Sequence, residues 1–517
     1  MKKFNIDEGL LQFIAPEGCR EWTIRDSFEG LGIMGGIGSG KTSGSGRTVA
    51  LKMLMAGYAG LVLTCKPDEK DQWVEYCKRT KRSKDLIVIE AGGRNRFNFL
   101  EYEANKDKGR AAITGNLVDV LKTVINATSD QSATNSKDGF WQNASDMLLH
   151  NLIDLMQLAY GEVTIQTMYD IAQSLPQENE QLINFSDPDS FDPDQLSAFQ
   201  KAYRIVYDRI VYETGEWNYK LPEVKKRTLL TTDSYEAELF KDIPDARLFK
   251  IVDAFFTSTL KTLNSKTRSI IDFTLSGFLF RLLQDPVFSL FCNGKSTVTP
   301  DMCLKGKIIL INLPIKKYHE VGRSCQILFK YIFQRFAEAR KINQHTRPLF
   351  LYADEAQNFL HEHDSEYQAT ARSSQIATIY LTQNINGYYA AMGGARAEYR
   401  VKGFLGTLAT KVFHANSCMD TNLYASTLIG EEYYEDYSDT TSYTGNFSQS
   451  QAKSLRLKKI LRPEDFTKLK TGGKKHDFIV EGVVHRQGTP MFFGKTYHIL
   501  SFMQHGFDGS KLDNIIN

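Results

Sequence analysis

The run Gly35-Gly36-Ile37-Gly38-Ser39-Gly40-Lys41-Thr42 fits G-x-x-x-x-G-K-[ST] at every fixed position. Residues of these types at this spacing suit the phosphates of a nucleoside triphosphate. Glycines let backbone N–H groups close round a phosphate with no Cβ in the way. Ser39 lies among them, Lys41 has the reach and charge for the β- and γ-phosphates, and Thr42 brings a hydroxyl for Mg²⁺. Hydrolysis needs carboxylates too. The apolar run Leu349–Ala353 ends in Asp354-Glu355. Asp354 would hold Mg²⁺, directly or through water, and Glu355 would polarise the attacking water. A strand-end Asp-Glu pair is common by itself; the intact phosphate motif gives this one its meaning. ATP and Mg²⁺ are the expected ligands.

Two more residues are candidates. Gln383, after the apolar run Ala377–Leu381, either touches the γ-phosphate or lytic water, or caps the strand. Arg372, in Ala371-Arg372-Ser373-Ser374, is either an exposed helix arginine or a guanidinium delivered to the γ-phosphate of an adjacent subunit. Other chemistries find less support. His361, His363 and Asp364 have a spacing that could ligate a metal, but they fit a polar loop better. There is no G-x-S-x-G elbow for a serine hydrolase.

These residues need elements to position them. Short apolar runs bounded by turn signals predict buried parallel strands at Leu31–Met34, Gly60–Thr64, Leu86–Ile89, Lys307–Asn312, Leu349–Ala353, Ala377–Leu381 and Lys411–His414. A helix-forming run, Thr48–Gly57, follows the phosphate motif, placing that motif at a helix N-terminus. The alternation of strands and helices predicts an α/β fold with a doubly wound, mostly parallel sheet. It stops between about Asn105 and Pro286, where helical periodicity dominates. There Trp141, Met147, Leu148, Leu149, Leu152, Ile153 and Leu155 form an apolar stripe. The expected organisation is a nucleotide-binding domain in two parts, 1–104 and 287–517, interrupted by an all-α insertion domain over 105–286. Pro176–Asp194 reads as a long loop. Glu431–Lys453, rich in Tyr, Ser, Thr, Asp and Gly, reads as a mobile loop.

Bulk properties agree with a globular protein. The chain has 517 residues, enough for several domains, with 42% apolar and 24% charged residues. Its net charge of +2 leaves any nucleic-acid surface to a local patch. The densest basic runs are Lys78–Lys84 and Lys468–Lys475; a solvated helix end or hairpin explains each equally simply. The seven cysteines form no C-x-x-C pair, which fits a reducing cytosol better than a zinc knuckle or a disulfide framework. Met1–Asp7 carries two lysines but no apolar run follows, so no signal peptide is expected. The most apolar long window, Ile270–Phe291, carries Asp272, Arg281 and Asp285; it reads as a buried helix and a turn, not a membrane span.

The order of phosphate motif, helical insertion, apolar strand with Asp-Glu-Ala, Arg-Ser-Ser and then Leu-Thr-Gln-Asn resembles the HerA/FtsK superfamily of hexameric motors. Within it the chain is most similar to the type IV secretion coupling proteins, the conjugative DNA pumps of the TraD/TraG type. Lesser stretches share the likeness: Leu63–Glu69, with its lysine-acid turn; Phe97-Asn98-Phe99-Leu100, with Phe99 where proline is usual; and Phe140–Ala144 at the start of the insertion's major helix. Asp285-Pro286-Val287, Lys307–Pro314, Leu461–Phe466 and Val484–Gly488 continue it, so that it covers about Phe28 to Tyr497. The resemblance implies a RecA-like sheet, an ATP-driven DNA translocase, a homo-hexameric ring threaded by single- or double-stranded DNA, and Arg372 as a finger acting in trans. DNA contacts would be mostly to phosphates.

Coupling proteins usually begin with two transmembrane helices, and the residues before the phosphate motif here hold none. An unanchored chain, an anchor supplied by a partner and an anchor removed are all compatible with that. The expected location is the cytoplasm, docked at the inner face of the cell membrane through a partner, with no direct membrane insertion. A relaxase or secretion-channel proteins are the implied partners. Rival readings are a HerA-type motor working with a nuclease, a protein-secretion or assembly ATPase, and a nucleotide-gated scaffold, against which the intact Glu355 counts.

Overall fold

The computed structural model describes residues 3–106, 109–128, 138–177, 185, 191–232, 234–393, 397–443 and 447–504. Its strands in chain order are β1 (Gly9–Ala15), β2 (Gly18–Thr23), β3 (Leu31–Met34), β4 (Ala59–Leu63), β5 (Leu86–Glu90), β6 (Ile308–Asn312), β7 (Leu349–Ala353), β8 (Ile376–Thr382), β9 (Thr410–Phe413), β10 (Glu431–Tyr443), β11 (Phe447–Lys459), β12 (Ile479–Arg486) and β13 (Tyr497–Met503). Nine of them form one sheet in the order β13-β12-β9-β3-β8-β7-β4-β6-β5. The ladders joining β9, β3, β8, β7, β4 and β6 are all parallel. β12 and β13 extend the sheet in antiparallel fashion beside β9. Every residue of β3, β4, β7 and β8 is buried, as a sheet covered on both faces requires. This is the α/β, mostly parallel architecture that the alternation of strands and helices predicts.

The register fixes where chemistry can happen. Met34 lies opposite Thr382 on one side and Phe413 on the other, and Leu63 lies opposite Ala353. The carboxyl ends of β3, β4, β7, β8 and β9 therefore reach one edge together. Ligands of open α/β sheets bind at that edge. On the sheet's flank Trp73 stacks on Phe350 with centroids 5.6 Å apart and meets Tyr352 edge-on at 5.0 Å, tying helix Glu69–Arg79 to β7.

The chain divides into two compact units. One comprises Met1–Val88, Pro300–His319 and Lys330–Asn517 and holds the sheet; the other comprises Ile89–Thr299 and Glu320–Phe329 and is helical. In the helical unit, helix Asp138–Tyr160 buries Leu148, Leu149, Leu152, Ile153 and Leu155, while Met147 is exposed on its outer side. The side chain of Trp141 lies outside the described residues, as does most of the stretch 176–194 expected to be a loop. Helix Ser265–Leu282 buries one face only, through Ile271, Leu275, Phe278 and Leu282, at helical spacing. Phe273 and Phe280 are exposed, so the expected buried helix is corrected to one buried on a single face. Among the described residues no helix is long and apolar enough to cross a membrane.

The segment Glu431–Lys453, expected to be a mobile loop, is instead most of an antiparallel ribbon formed by β10 and β11, registered from Glu431↔Lys459 to Tyr443↔Phe447. Its tyrosines and threonines suit a pleated surface, and its charges pair across the ladder. Arg456 Nε lies 3.1 Å from Asp436 Oδ2, and Lys459 Nζ lies 3.5 Å from Glu431 Oε1.

Candidate functional site

The phosphate motif forms the turn between β3 and a π-helical turn, Thr42–Gly46, that runs on into helix Arg47–Ala56. Two backbone bonds pin its start: Gly35 N–H donates to Thr382 O (3.1 Å) and Gly36 N–H to Ala415 O (2.9 Å). Glycine is required at Gly40, whose φ is +81° and where a Cβ would sit 2.4 Å from Val480 Cγ2. A Cβ at Gly35 would sit 2.5 Å from the Ser39 hydroxyl. That hydroxyl is buried and has no hydrogen-bond partner among the described residues. A buried donor without a partner fits a loop that holds a hydrogen-bonding ligand. The loop opens on a cleft of about 1060 Å³ lined by, among others, Gly38, Lys41, Lys66, Asp354, Glu355 and Gln383.

The end of β7 brings in the two carboxylates. Thr42 Oγ1 donates to Asp354 Oδ2 at 2.8 Å, so a hydroxyl and a carboxylate oxygen stand side by side. These are hard oxygen donors of the kind Mg²⁺ prefers. Glu355 is buried and held from several sides. Lys41 Nζ lies 3.3 Å from its Oε1, Gln383 Nε2 donates to the same oxygen at 3.0 Å, and Gln357 Nε2 donates to Oε2 at 3.0 Å. Burial pushes the Glu355 carboxyl up, but the Lys41 charge and the two amide donors outweigh it and hold the group below its usual range. Glu355 also has φ +54° and ψ +49°, a left-handed conformation that costs an ordinary residue about 1–3 kcal/mol and clusters at functional sites.

All the cleft residues singled out from sequence thus come together: Gly35, Gly36, Gly38, Ser39, Gly40, Lys41, Thr42, Asp354, Glu355 and Gln383. Arg372 does not join them. It caps helix Asp364–Ala371, is 62% exposed, and pairs with Glu29 Oε1 at 3.1 Å. Among the described residues His361, His363 and Asp364 form no group placed to hold a metal ion. Asp364 accepts from Lys330 Nζ (2.6 Å) and Gln334 Nε2 (2.9 Å), and His361 bonds Gln334 Oε1 (2.9 Å). His361 and Asp364 are buried in this network, so the polar-loop reading needs correcting there: the polarity serves interior hydrogen bonds, not solvent. In the first basic run Arg79 pairs with Glu75 and Arg82 with Asp85; in the second Lys468 pairs with Asp465 and Lys470 with Glu481.

Several cleft residues were not singled out individually from sequence. Lys66, just past β4, places Nζ 3.5 Å from Asp354 Oδ2 and 3.7 Å from Glu355 Oε1. Its signal was a lysine directly after a central strand. Glu69 is buried in the cleft wall and accepts Cys65 N–H at 2.7 Å. Burial, and then the nearby Asp354 charge, push its carboxyl up to about 8. His414 bridges three segments: its Nε2 meets Ser45 Oγ at 2.7 Å and its Nδ1 meets Glu481 O at 2.7 Å. Gln504, far along the chain, accepts Gly473 N–H and donates to Ser43 Oγ, both at 2.7 Å.

Comparison with known proteins places this geometry. Residues 348–471, which span Asp354 to the second basic run, match the family described as the TraM recognition site of TraD and TraG. No curated protein sequence matches the chain. Among solved structures it is similar to the bacterial conjugative coupling protein TrwBdeltaN70 in an unbound monoclinic form. The TM-score is 0.57 at 11% identity, covering 97% of this chain and 90% of that one. It is similar to the plasmid coupling protein TrwB in complex with the GTP analogue GDPNP, with a TM-score of 0.56, 11% identity and 99% of each chain covered. It is also similar to TrwB in complex with ADP and Mg²⁺, with a TM-score of 0.56, 11% identity, and 97% and 96% covered. The chain is therefore a P-loop protein with the RecA-like fold of the conjugative coupling proteins, and over residues 348–471 it carries the sequence signature of TraD and TraG.

Proposed function

We propose that this chain hydrolyses ATP and uses the cycle to move DNA through a ring of like subunits, as a conjugative coupling protein would. The observation that carries the reading is the set of contacts at one sheet edge: Thr42 on Asp354, and Lys41 and Gln383 on Glu355. Backbone N–H groups of Gly36 to Gly40, with the helix N-terminus behind them, cradle the phosphates. Thr42 and Asp354 would hold Mg²⁺, which when bound would supply positive charge against the triphosphate. Lys41 leaves Glu355 for the phosphates, and Glu355, ionised at neutral pH, orients and polarises the attacking water. Gln383 spans from Glu355 toward the γ-phosphate and so reports its loss to β8. Arg372, turned to the surface, serves the site of the neighbouring subunit.

Residues 1–104 and 287–517 form the motor, and the helical insertion 105–286 faces the ring mouth and engages substrate. The segment 348–471 supports contact with a DNA-processing partner of the TraM kind. Attachment at the inner face of the membrane, if the cycle feeds an envelope channel, comes through a partner.

The test is the ATPase rate of the purified protein with and without single- and double-stranded DNA, beside the Glu355→Gln variant. The expected result is strong stimulation by DNA that the variant loses while still binding ATP. Hydrolysis indifferent to every DNA would sink the translocase reading and favour a protein-secretion ATPase.

A further inference from the structure

The β10–β11 ribbon forms a sheet of its own, apart from the nine-stranded one. A two-stranded ribbon is marginal in water and gains stability from a third strand or a covering layer. This one is well exposed. Tyr433 (69%), Tyr437 (56%), Leu455 (67%) and Leu457 (56%) all lie on one face, since Tyr433 pairs with Leu457 and the others follow at spacings of two. Among the described residues neither long edge pairs with a further strand, the condition under which strands recruit another chain.

The charges say which chain. Along β10 the charged residues are all acidic: Glu431, Glu432, Glu435, Asp436 and Asp439. Along β11 they are all basic: Lys453, Arg456, Lys458 and Lys459. Cross-strand pairing inside the ribbon uses this segregation, and it also leaves an acidic strand at one edge and a basic strand at the other. Two β10 edges repel, as do two β11 edges. A β11 edge of one copy and a β10 edge of the next attract, and they run antiparallel when copies are related by rotation. Contacts of this head-to-tail kind propagate, and they close into a ring when the rotation between copies closes.

We propose that the ribbon is a self-association arm: the β11 edge of each copy pairs with the β10 edge of the next, building a crown of antiparallel strands. The inference rests on the ring of like subunits in the reading above and adds the surface that joins them.

The register supplies a clean test. Ile460 N–H bonds to Gly430 O, one step before the pair Glu431↔Lys459. Alternation then turns the N–H groups of odd-numbered residues, Glu435 and Leu457 included, to the outer edges. Proline there spares the ribbon's own ladder and blocks an incoming strand. Sedimentation velocity of wild type, Leu457→Pro and Glu435→Pro, with ATP analogue and Mg²⁺ present, is the measurement. Each variant alone should associate at least about tenfold more weakly than wild type. Mixed, they should form 1:1 pairs, because Leu457→Pro keeps its β10 edge and Glu435→Pro keeps its β11 edge. Variants that assemble like wild type, or a mixture with no pairs, overturn the arm while leaving the ring standing. A wild-type chain that stays monomeric overturns both.

Discussion

Glu355 has more partners than a strand-end carboxylate needs: Lys41 and Lys66 on its charge, and Gln357 and Gln383 on its oxygens. Lys41 and Lys66 balance the charges of Asp354 and Glu355, and this pairing must redistribute when phosphates arrive. Lys41 lies on the phosphate loop, so Lys41→Ala should abolish nucleotide binding, read by equilibrium binding of a labelled ATP analogue. Among the described residues the Lys66 ammonium pairs with the two carboxylates, so Lys66→Met should leave binding within a few-fold and lower kcat by about 10–100-fold, since it removes a charge that positions Asp354 and Glu355. Equal losses in binding and kcat would put Lys66 on the phosphates instead. Glu69 has a different signature. Its folded carboxyl titrates at about 8 against an ordinary 4.5, so between those values the folded chain binds a proton that the unfolded chain has released. Glu69 therefore contributes a stability that falls as pH rises from about 4.5 to 8. Glu69→Gln, permanently neutral, should gain in Tm relative to wild type on going from pH 5.5 to pH 8.5; an unchanged difference would mean the group ionises normally.

At the scale of elements, the central strands and their strand-end residues were the most legible part of the sequence. β3 and β7 have the predicted bounds, and the others lie within a residue or two, because strands buried on both faces are unbroken apolar runs. The site was legible for the same reason: strand ends deliver Gly35, Asp354 and Gln383 to one edge. The hairpins were not. β10 mixes Tyr with Glu and Asp, which reads as loop composition until its basic partner β11 is laid opposite. β12 also pairs with the distant β9, a partner that only tertiary structure supplies, while β1 and β2 form a local hairpin that the apolar-run criterion for buried strands passes over. His414 illustrates contacts of that sort, since Ser45 and Glu481 meet only in the folded sheet. Glu481 O can only accept, so Nδ1 carries a proton; burial lowers the ring's pKa to about 4 from 6.5, so at neutral pH the ring is uncharged and Nε2 is left to accept from Ser45. The unfolded chain takes up this proton first as pH falls. The contribution is thus whole above about pH 6.5 and is lost as pH drops through 4. Replacement by alanine should cost about 1–3 kcal/mol at pH 7, measured by urea unfolding, and less at pH 4.5. A cost that grows at low pH would contradict the neutral assignment.

For the whole molecule, the decisive residue is the one the cleft leaves out. Arg372 sits on the surface with Glu29, and its own site already has Lys41 and Lys66 near the carboxylates. A surface arginine in this position does nothing for hydrolysis unless another copy presents a site to it. The ring reading requires that Arg372→Ala and Glu355→Gln each be inactive for a different reason, one lacking the donated charge and the other lacking the water-orienting carboxylate. Mixed in equal amounts, they create interfaces where an Arg372→Ala chain supplies the site and a Glu355→Gln chain supplies the arginine. Random mixing makes about a quarter of the interfaces complete, so DNA-stimulated turnover should rise from the background of either variant toward that fraction of wild type. Turnover that stays at background, with subunit exchange shown by a fluorescence-transfer pair, would return Arg372 to a structural role beside Glu29. In that case Glu29→Gln should reproduce the Arg372→Ala loss, whereas a finger acting in trans predicts that Glu29→Gln keeps most of its activity.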